Sequence, residues 1–194
     1  MSYPSSIAVF CGSKPGFDPK QIEAAQALGR GMAEHGIELV YGGGRVGIMG
    51  AVADAVQEHG GRVTGIIPDF LMQREVGNTK VDHMEVTDSM HSRKRRMFDL
   101  ADAFISLAGG LGTLDETIEI ITWKQLKLHD KPIILISIGG YWDFLKTTTA
   151  HFTDAGYAYA SDADLYRIVD SVEAAFEILK DSPPSSQQTS SERL

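Results

Sequence analysis

The sequence has few of the residues that build disulfide frameworks, membrane spans or cationic surfaces. Its 194 residues include one cysteine, Cys11, which excludes an internal disulfide or a cysteine-rich metal site. No apolar run approaches the ~18 residues that span a bilayer. Lys and Arg number 18 against 26 Asp and Glu, and the net charge of −8 disfavours sequence-independent binding to nucleic acid. We therefore expect neither a membrane nor a nucleic acid as a partner.

The N-terminus also lacks the pattern of a secretory signal. Residues 1–13 have no basic segment followed by a long apolar one, and we expect a cytoplasmic protein. At ~100–200 residues per domain, the length indicates a single domain, to which we assign residues 1–181. Residues 182–194 are mostly Ser, Pro, Gln and Thr, so this end is predicted to form a disordered tail.

Short apolar segments alternate with longer segments of helical period. Strands are predicted at residues 7–11, 37–41, 62–67, 84–86, 103–107 and 132–136. Helices are predicted near residues 18–34, 48–59, 90–100, 113–128, 141–152 and 172–179. Short buried strands joined by helices indicate an α/β fold, a Rossmann-like doubly wound parallel sheet with helices on both faces.

Three predicted strands run directly into glycine-rich turns. Gly12 and Ser13 follow the first strand, residues 42–50 (GGGRVGIMG) follow the second, and residues 109–113 (GGLGT) follow the fifth. Ligands of doubly wound sheets bind at the carboxyl ends of the strands, where glycine permits close approach and helix N-termini attract anions. One such turn is as well explained by tight chain reversal. Three turns that converge on one edge favour a ligand that carries phosphate.

The second glycine turn leaves a dinucleotide open as the ligand. Gly42, Gly44 and Gly47 fit the G-x-G-x-x-G fingerprint, and Asp69 lies about the right distance beyond it. That fingerprint normally follows the first strand of the fold, whereas here it follows the second, so the match alone is weak evidence for a nicotinamide-dependent oxidoreductase. A P-loop is excluded because residues 45–46 (RV) stand where the motif requires Gly-Lys-Ser/Thr.

Residues 90–97 (MHSRKRRM) carry four consecutive cations, a pattern usually typical of a solvated helix face. At ~100° per residue, however, Arg93 falls inside the apolar stripe that runs from Met90 to Leu100, whereas Arg95 points away from it. An arginine that faces the protein body needs an anionic partner, because an unpaired buried charge is very costly. We therefore predict that Arg93 is a functional residue that faces a bound phosphate or a carboxylate.

Glu116 has two competing interpretations. Residues 113–116 (TLDE) form a capping-box pattern, in which Glu116 would accept from the backbone amide of Thr113. The preceding glycine turn would instead place a ligand within reach of this carboxylate, which could stabilise a cationic transition state or activate water. The local pattern favours the cap, and the position in the fold favours catalysis.

Neither a metal centre nor a nucleophilic triad is predicted. The six histidines are scattered, with no close pair on one helical face. Cys11, at a predicted strand end, is typical of a small buried hydrophobe rather than a nucleophile.

Four segments resemble the Lonely Guy (LOG) family. Residues 109–116 (GGLGTLDE) are similar to its PGGxGTxxE signature, residues 90–94 (MHSRK) to its MHxRK segment, residues 42–50 to its GGGxxGxMG turn, and residues 121–126 (ITWKQL) to its ITWxQL helix. The similarity extends over residues 7–172. Ala108 stands at the position of the signature proline, which removes a constraint on the turn and predicts a slightly looser one.

The resemblance implies an enzyme that cleaves the N-glycosidic bond of cytokinin riboside 5′-monophosphates, and often of AMP, to free base and ribose 5-phosphate. It implies catalytic roles for Arg93 and Glu116, with no metal or organic cofactor. Together with the glycine turns, it gives the predicted substrate-binding residues: Gly12, Ser13, Gly43, Gly44, Gly47, Glu75, Met90, Lys94, Gly109, Gly110, Leu111, Gly112, Thr113 and Thr122. Members usually form dimers, so a homodimer or a higher homo-oligomer is expected.

A common label for such sequences is not supported, and one further alternative remains beside the oxidoreductase. Sequences of this kind are often labelled possible lysine decarboxylases, a chemistry that requires a Schiff-base lysine for pyridoxal phosphate, and no lysine is singled out here. A carrier of a nucleotide or a phosphorylated cofactor would use the same glycine turns and give Arg93 and Glu116 structural roles.

Overall fold

The computed structural model describes residues 2–75 and 81–180, without the side chains of residues 73–75. In this part of the chain one parallel sheet has the strand order β4-β3-β2-β1-β5-β6-β7. The strands are β1 Ser6–Phe10, β2 Glu38–Tyr41, β3 Val63–Pro68, β4 His83–Thr87, β5 Ala103–Ser106, β6 Ile133–Ile136 and β7 Arg167–Val169.

Helices cover both faces of the sheet. They are α1 Lys20–Glu34, α2 Gly47–Glu58, α3 Asp69–Glu75, α4 Met90–Leu100, α5 Leu111–Gln125, α6 Asp143–Asp154 and α7 Val172–Leu179. Side chains of α1, α2 and α7 pack in one core cluster, and side chains of α4, α5 and α6 pack in the other. The predicted α/β fold, a doubly wound parallel sheet of Rossmann type, is confirmed. Among the helices of the described ranges, none has both the length and the apolar character that crossing a membrane requires.

The sequence pattern missed two short elements. The edge strand β7 has three residues that are at best half-buried, and α3 has seven residues, so neither shows a clear hydrophobic period. The bounds of α4 and α7 are as predicted, whereas α5 begins two residues early at Leu111. The predicted tail, residues 182–194, lies outside the described residues.

The direction of chain winding reverses between β1 and β5, and this position defines the candidate site. In open α/β sheets the crevice at such a switch point receives the ligand. The loops after β1 and β5 meet here: the Gly12 amide donates to the Ala108 carbonyl oxygen at 2.9 Å. A Cβ on Gly12 would lie 3.2 Å from the Gly109 Cα, so glycine permits this close approach.

Gly29 lets α1 pack closely on α2, on the face of the sheet opposite α4 and α5. A Cβ on Gly29 would lie 2.6 Å from the Val52 carbonyl oxygen and 2.7 Å from the Ala55 Cβ. Because the first of these atoms belongs to the backbone, the overlap cannot be relieved by a side-chain rotation.

We expect Gly29→Ala to destabilise the protein by about 1–3 kcal/mol in urea unfolding. Helix propensity alone predicts a gain of about 1 kcal/mol, so the sign of the change separates the two effects. Gly112→Ala in α5 is the matched control, since its Cβ would meet nothing within 4 Å. A stabilised Gly29→Ala protein would contradict this account of the helix pair.

Candidate active site

Arg93 and Glu116 form a buried ion pair beside the switch point. The Arg93 Nη2 atom lies 3.5 Å from the Glu116 Oε1 atom, and the two side chains are 6% and 9% exposed. Arg93 therefore faces the protein body, as its place in the apolar stripe predicted, and a carboxylate lies opposite it. The pair joins α4 to α5 across one face of the sheet.

A capping box fixes the start of α4 just before Arg93. The Ser89 hydroxyl accepts from the Ser92 amide at 3.2 Å, and the Ser92 hydroxyl accepts from the Ser89 amide at 3.1 Å. These reciprocal bonds satisfy two amides that the first turn of a helix leaves without partners. The register of α4, and with it the direction of Arg93, is set locally by these serines.

The capping interpretation of Glu116 is wrong. The N-cap of α5 is Gly110, so Thr113 lies inside the first turn and Glu116 follows in the second. A carboxylate at that depth cannot return to the N-cap amide, because the capping geometry requires the third helical residue. Glu116 instead points inward to Arg93.

Burial controls the protonation of Glu116. It raises the pKa of this carboxyl group to about 7, although the Arg93 guanidinium acts to lower it. Arg93 therefore does not hold Glu116 fully ionised, and the group is poised to exchange a proton near neutral pH. Burial and the negative charge of Glu116 raise the pKa of the neighbouring Cys11 thiol far above its usual value, so Cys11 is no thiolate nucleophile.

Lys94 forms a second set of ion pairs between α4 and α5, next to the buried pair. Its Nζ atom lies 3.2 Å from the Asp115 Oδ2 atom and 3.0 Å from the Glu119 Oε1 atom. Burial acts to lower the pKa of Lys94, but the hydrogen bonds and charges of the two carboxylates hold it above its ordinary value. Both carboxylates project from α5, so Lys94 holds α4 in place beside the buried pair.

The N-terminus of α5 is the candidate anion site. Its N-cap is Gly110, which has no side chain to satisfy the first amides of the helix. Two contacts hold the preceding turn: the Ala108 carbonyl accepts from Gly12, and the Gly109 carbonyl accepts from the Tyr141 hydroxyl. The turn is therefore fixed on both sides although alanine replaces the signature proline at position 108.

The N-terminus of α2 is occupied by the protein's own backbone. The Gly12 carbonyl accepts from the amides of Ile48 at 3.1 Å and Met49 at 3.2 Å. Gly47 has a φ of 65°, and a Cβ there would lie 2.4 Å from the Ser13 carbonyl carbon. These glycines pack the second turn against the first, so the position that a dinucleotide pyrophosphate would take is filled by a carbonyl group.

The other predicted substrate contacts are distributed around this edge. Gly43 and Gly44 are buried at the end of β2, and the sulfur atom of Met90 lies 4.0 Å from the Arg93 Nη1 atom. Leu111 and Gly112 are exposed at the start of α5.

Two further predicted contacts belong to α5 and α3. Thr122 lies nearly two turns beyond Glu116, exposed, and its hydroxyl donates to the Ile118 carbonyl at 2.8 Å. Glu75 ends α3, and its side chain lies outside the described part of the structure.

Two residues make contacts at this site that sequence reasoning did not predict. Tyr141 holds the Gly109 carbonyl but lies 32 positions away in sequence, so no local pattern connects them. Gly42 lies against the Arg93 guanidinium, where a Cβ would approach the Nη2 atom to 2.0 Å. Gly42 belongs to the dinucleotide fingerprint, but that pattern predicts a contact with phosphate and not the space that the Arg93 side chain occupies.

Neither Lys94 nor Lys131 fits a Schiff base with pyridoxal phosphate. Lys94 is held as a cation by two carboxylates, whereas such a lysine must lose its proton. Burial lowers the pKa of Lys131, but its Nζ atom donates to the Phe98 carbonyl at 2.7 Å. Lys131 precedes β6 and lies at the amino edge of the sheet, opposite the candidate site. Within residues 2–75 and 81–180, no three His, Cys, Asp or Glu side chains group as a metal site.

The fold and the site define an α/β protein of Rossmann-like type, with a buried ion pair beside an uncapped helix N-terminus at the carboxyl edge of its sheet. The family model described as possible lysine decarboxylase matches residues 49–179. Cytokinin riboside 5′-monophosphate phosphoribohydrolase LOG7 of Arabidopsis thaliana is 46% identical over 151 residues, which are 78% of this chain and 70% of the relative. The cytokinin riboside 5′-monophosphate phosphoribohydrolase of Mycobacterium marinum is 38% identical over 172 residues, which are 89% of this chain and 91% of the relative.

The chain therefore belongs to the LOG family of phosphoribohydrolases, and the predicted resemblance is confirmed. The prediction that it is an enzyme of the hydrolase class is confirmed with it. Among solved structures, the molybdenum cofactor carrier protein of Chlamydomonas reinhardtii has a TM-score of 0.68 over 91% of this chain and 96% of its own. At 23% identity, this similarity concerns the fold.

The carboxyl group of Glu116 should titrate near neutrality. In protein labelled with [13C]glutamate, we expect the resonance that disappears in Glu116→Gln to have a midpoint of about 7. Arg93→Gln should move this midpoint to higher pH, because the guanidinium lowers the pKa. Arg95→Gln is the matched control on the outer face of α4 and should leave the midpoint in place. An unchanged midpoint in Arg93→Gln would contradict the electrostatic coupling.

Proposed function

We propose that this chain hydrolyses the N-glycosidic bond of adenosine 5′-monophosphates, with N6-modified cytokinin precursors and AMP as the substrate class. The observation that carries the proposal is the buried Arg93–Glu116 pair beside the uncapped N-terminus of α5. The names of the relatives point to the same reaction. The products are the free base and ribose 5-phosphate.

The 5′-phosphate binds at the turn of residues 109–113. The first amides of α5 and the positive end of its helix dipole attract an anion there. Glu116 lies about 9 Å further along the helix axis than Gly110, at 1.5 Å per residue. The ribose therefore extends from the phosphate towards Glu116, and binding of the remote phosphate positions the sugar for reaction.

Glu116 acts on the anomeric carbon. The bond from C1′ to the base breaks with its electron pair on the base, and the ribose develops the positive charge of an oxocarbenium ion. The Glu116 carboxylate stabilises that charge and polarises the attacking water. The water oxygen bonds to C1′, and one proton passes in net terms from water to the departing base. A pKa of about 7 suits a group that accepts a proton near neutral pH.

Arg93 serves as the partner of Glu116 within this mechanism. Its guanidinium lowers the pKa of the carboxyl group and fixes its direction at 3.5 Å. The capping box of α4 and the Lys94 bridge position that guanidinium in turn. Lys94 and the predicted glycine contacts complete the nucleotide pocket in this proposal.

Glu116→Gln should lose activity by about 10²–10⁴-fold, because it removes the charge and the proton acceptor while keeping the shape. The assay is chromatographic release of free base from AMP and from isopentenyladenosine monophosphate, each beside its unphosphorylated riboside. We expect release from the monophosphates only. The ratio of the two rates distinguishes a cytokinin-activating enzyme from a general AMP hydrolase.

Glu85→Gln is the matched control for this experiment. Glu85 also pairs with an arginine of α4, at 2.9 Å from Arg96, but away from the candidate site. The Glu85→Gln variant should retain more than half of the wild-type activity. Activity that survives in Glu116→Gln while stability falls would show a structural role for Glu116. Nucleotide binding without base release in the folded wild type would favour a carrier.

We also propose that the chain acts in the cytoplasm as a homodimer or a higher homo-oligomer. Apolar side chains along α5 and at its C-cap support an interface, since Leu111, Ile118 and the C-cap residue Leu126 are 86%, 39% and 63% exposed. Static light scattering at assay concentration should give at least twice the chain mass of 21.1 kDa. A single chain mass under those conditions would contradict the proposal.

A further inference from the structure

The first glycine of the GGG turn touches the guanidinium of Arg93. A Cβ on Gly42 would lie 2.0 Å from the Arg93 Nη2 atom and 3.1 Å from its Cζ atom. Its next neighbour, the Met49 sulfur atom at 3.5 Å, is at an ordinary contact distance. The severe overlap therefore concerns one side chain alone.

The nitrogen that fills this space is the one that pairs with the carboxylate. Nη2 of Arg93 lies next to Gly42, and the same atom lies 3.5 Å from Glu116. Arg93 as a residue is 5% exposed, so the guanidinium has little room to move aside while it keeps the pair. A methyl group at position 42 would push Nη2 out of its place.

Backbone conformation does not require glycine at this position. Gly43 and Gly47 have positive φ values, whereas Gly42 does not. Alanine fits the backbone at position 42, and the reason for glycine there is the missing Cβ.

We propose that Gly42 is a positioning residue for the hydrolysis, whose lack of a side chain provides the space that seats the Arg93 guanidinium against Glu116. This inference rests on the proposed function and assigns the first glycine of the turn to the ion pair. A glycine that contacted the nucleotide directly would act independently of Arg93, and this difference is measurable.

The pKa of Glu116 should change when the guanidinium of Arg93 is displaced. The charged or titratable groups that face it are Arg93 and Lys94 of α4, Cys11 after β1, and Asp115 and Glu119 of α5. Among these, Arg93 has the largest effect that lowers the pKa of Glu116. Its displacement by a methyl group would raise that pKa.

A double-mutant cycle between positions 42 and 93 tests the proposal. Gly42→Ala should lower kcat for base release at least about tenfold in the wild type. In the Arg93→Gln background the same change should cost less than about twofold, because glutamine ends short of the space next to Gly42. An equal loss in both backgrounds would overturn the proposal, since Gly42 would then act without Arg93.

Gly61→Ala is the matched control. Its Cβ would overlap the Val56 Cγ1 atom at 2.7 Å and the Ala33 Cβ atom at 2.9 Å, at the amino edge of the sheet. It imposes a similar steric cost far from the pair and should leave kcat within about twofold of wild type. A loss in Gly61→Ala equal to that in Gly42→Ala would assign the effect to general destabilisation and overturn the proposal.

The carboxyl titration separates this inference from the proposed function. In the ligand-free protein, Gly42→Ala should raise the midpoint of the Glu116 resonance, as Arg93→Gln does. That shift would support the seating role even if no nucleotide were hydrolysed, and an unchanged midpoint would overturn it even in an active enzyme. If Gly42→Ala alone fails to fold, the double variant with Arg93→Gln should fold, and its failure would also refute the proposal.

Discussion

Burying the ion pair of Arg93 and Glu116 costs free energy, and several neighbouring contacts keep the two side chains in place. Burying both charges at 6% and 9% exposure carries a desolvation penalty that a pair 3.5 Å apart does not reliably offset. Such a pair needs other contacts to fix its geometry. The serine box sets the register of α4, the Lys94 bridge fastens α4 to α5, and Gly42 leaves room for the guanidinium.

The balance between burial and charge also determines what the pair can do. Burial alone would keep Glu116 protonated, and a fully compensating arginine would keep it permanently ionised. The structure lies between these limits, with a pKa of about 7. A carboxyl group in this range accepts and returns protons near neutral pH, which a surface glutamate does far less readily. In the proposed function, the uncapped start of α5 binds the phosphate, so the same helix would carry both the anion site and Glu116.

Much of this arrangement follows from sequence, because its signals are local. The alternation of strands and helices predicted the sheet, and the helical period placed Arg93 inward. The capping pattern of Thr113 failed because the N-cap of α5 is Gly110, which has no side chain and lies three residues before Thr113. Contacts between distant segments have no such signal: Tyr141 reaches the Gly109 carbonyl across 32 positions. The pKa of Glu116 likewise depends on burial, which only the folded chain determines.

The glycine-rich turns show why a motif does not by itself specify a mechanism. At the start of α5, glycine leaves the first backbone amides without a side-chain cap. At position 47 it allows the second turn to pack on the first, where the Gly12 carbonyl already occupies the amides of α2. At position 42 it leaves space for a guanidinium. Glycine therefore has three structural consequences at one edge of the sheet: it leaves amides uncapped, lets two turns pack together and leaves space for a side chain. The atom that would touch an added Cβ, rather than the spacing of the motif, distinguishes the three cases.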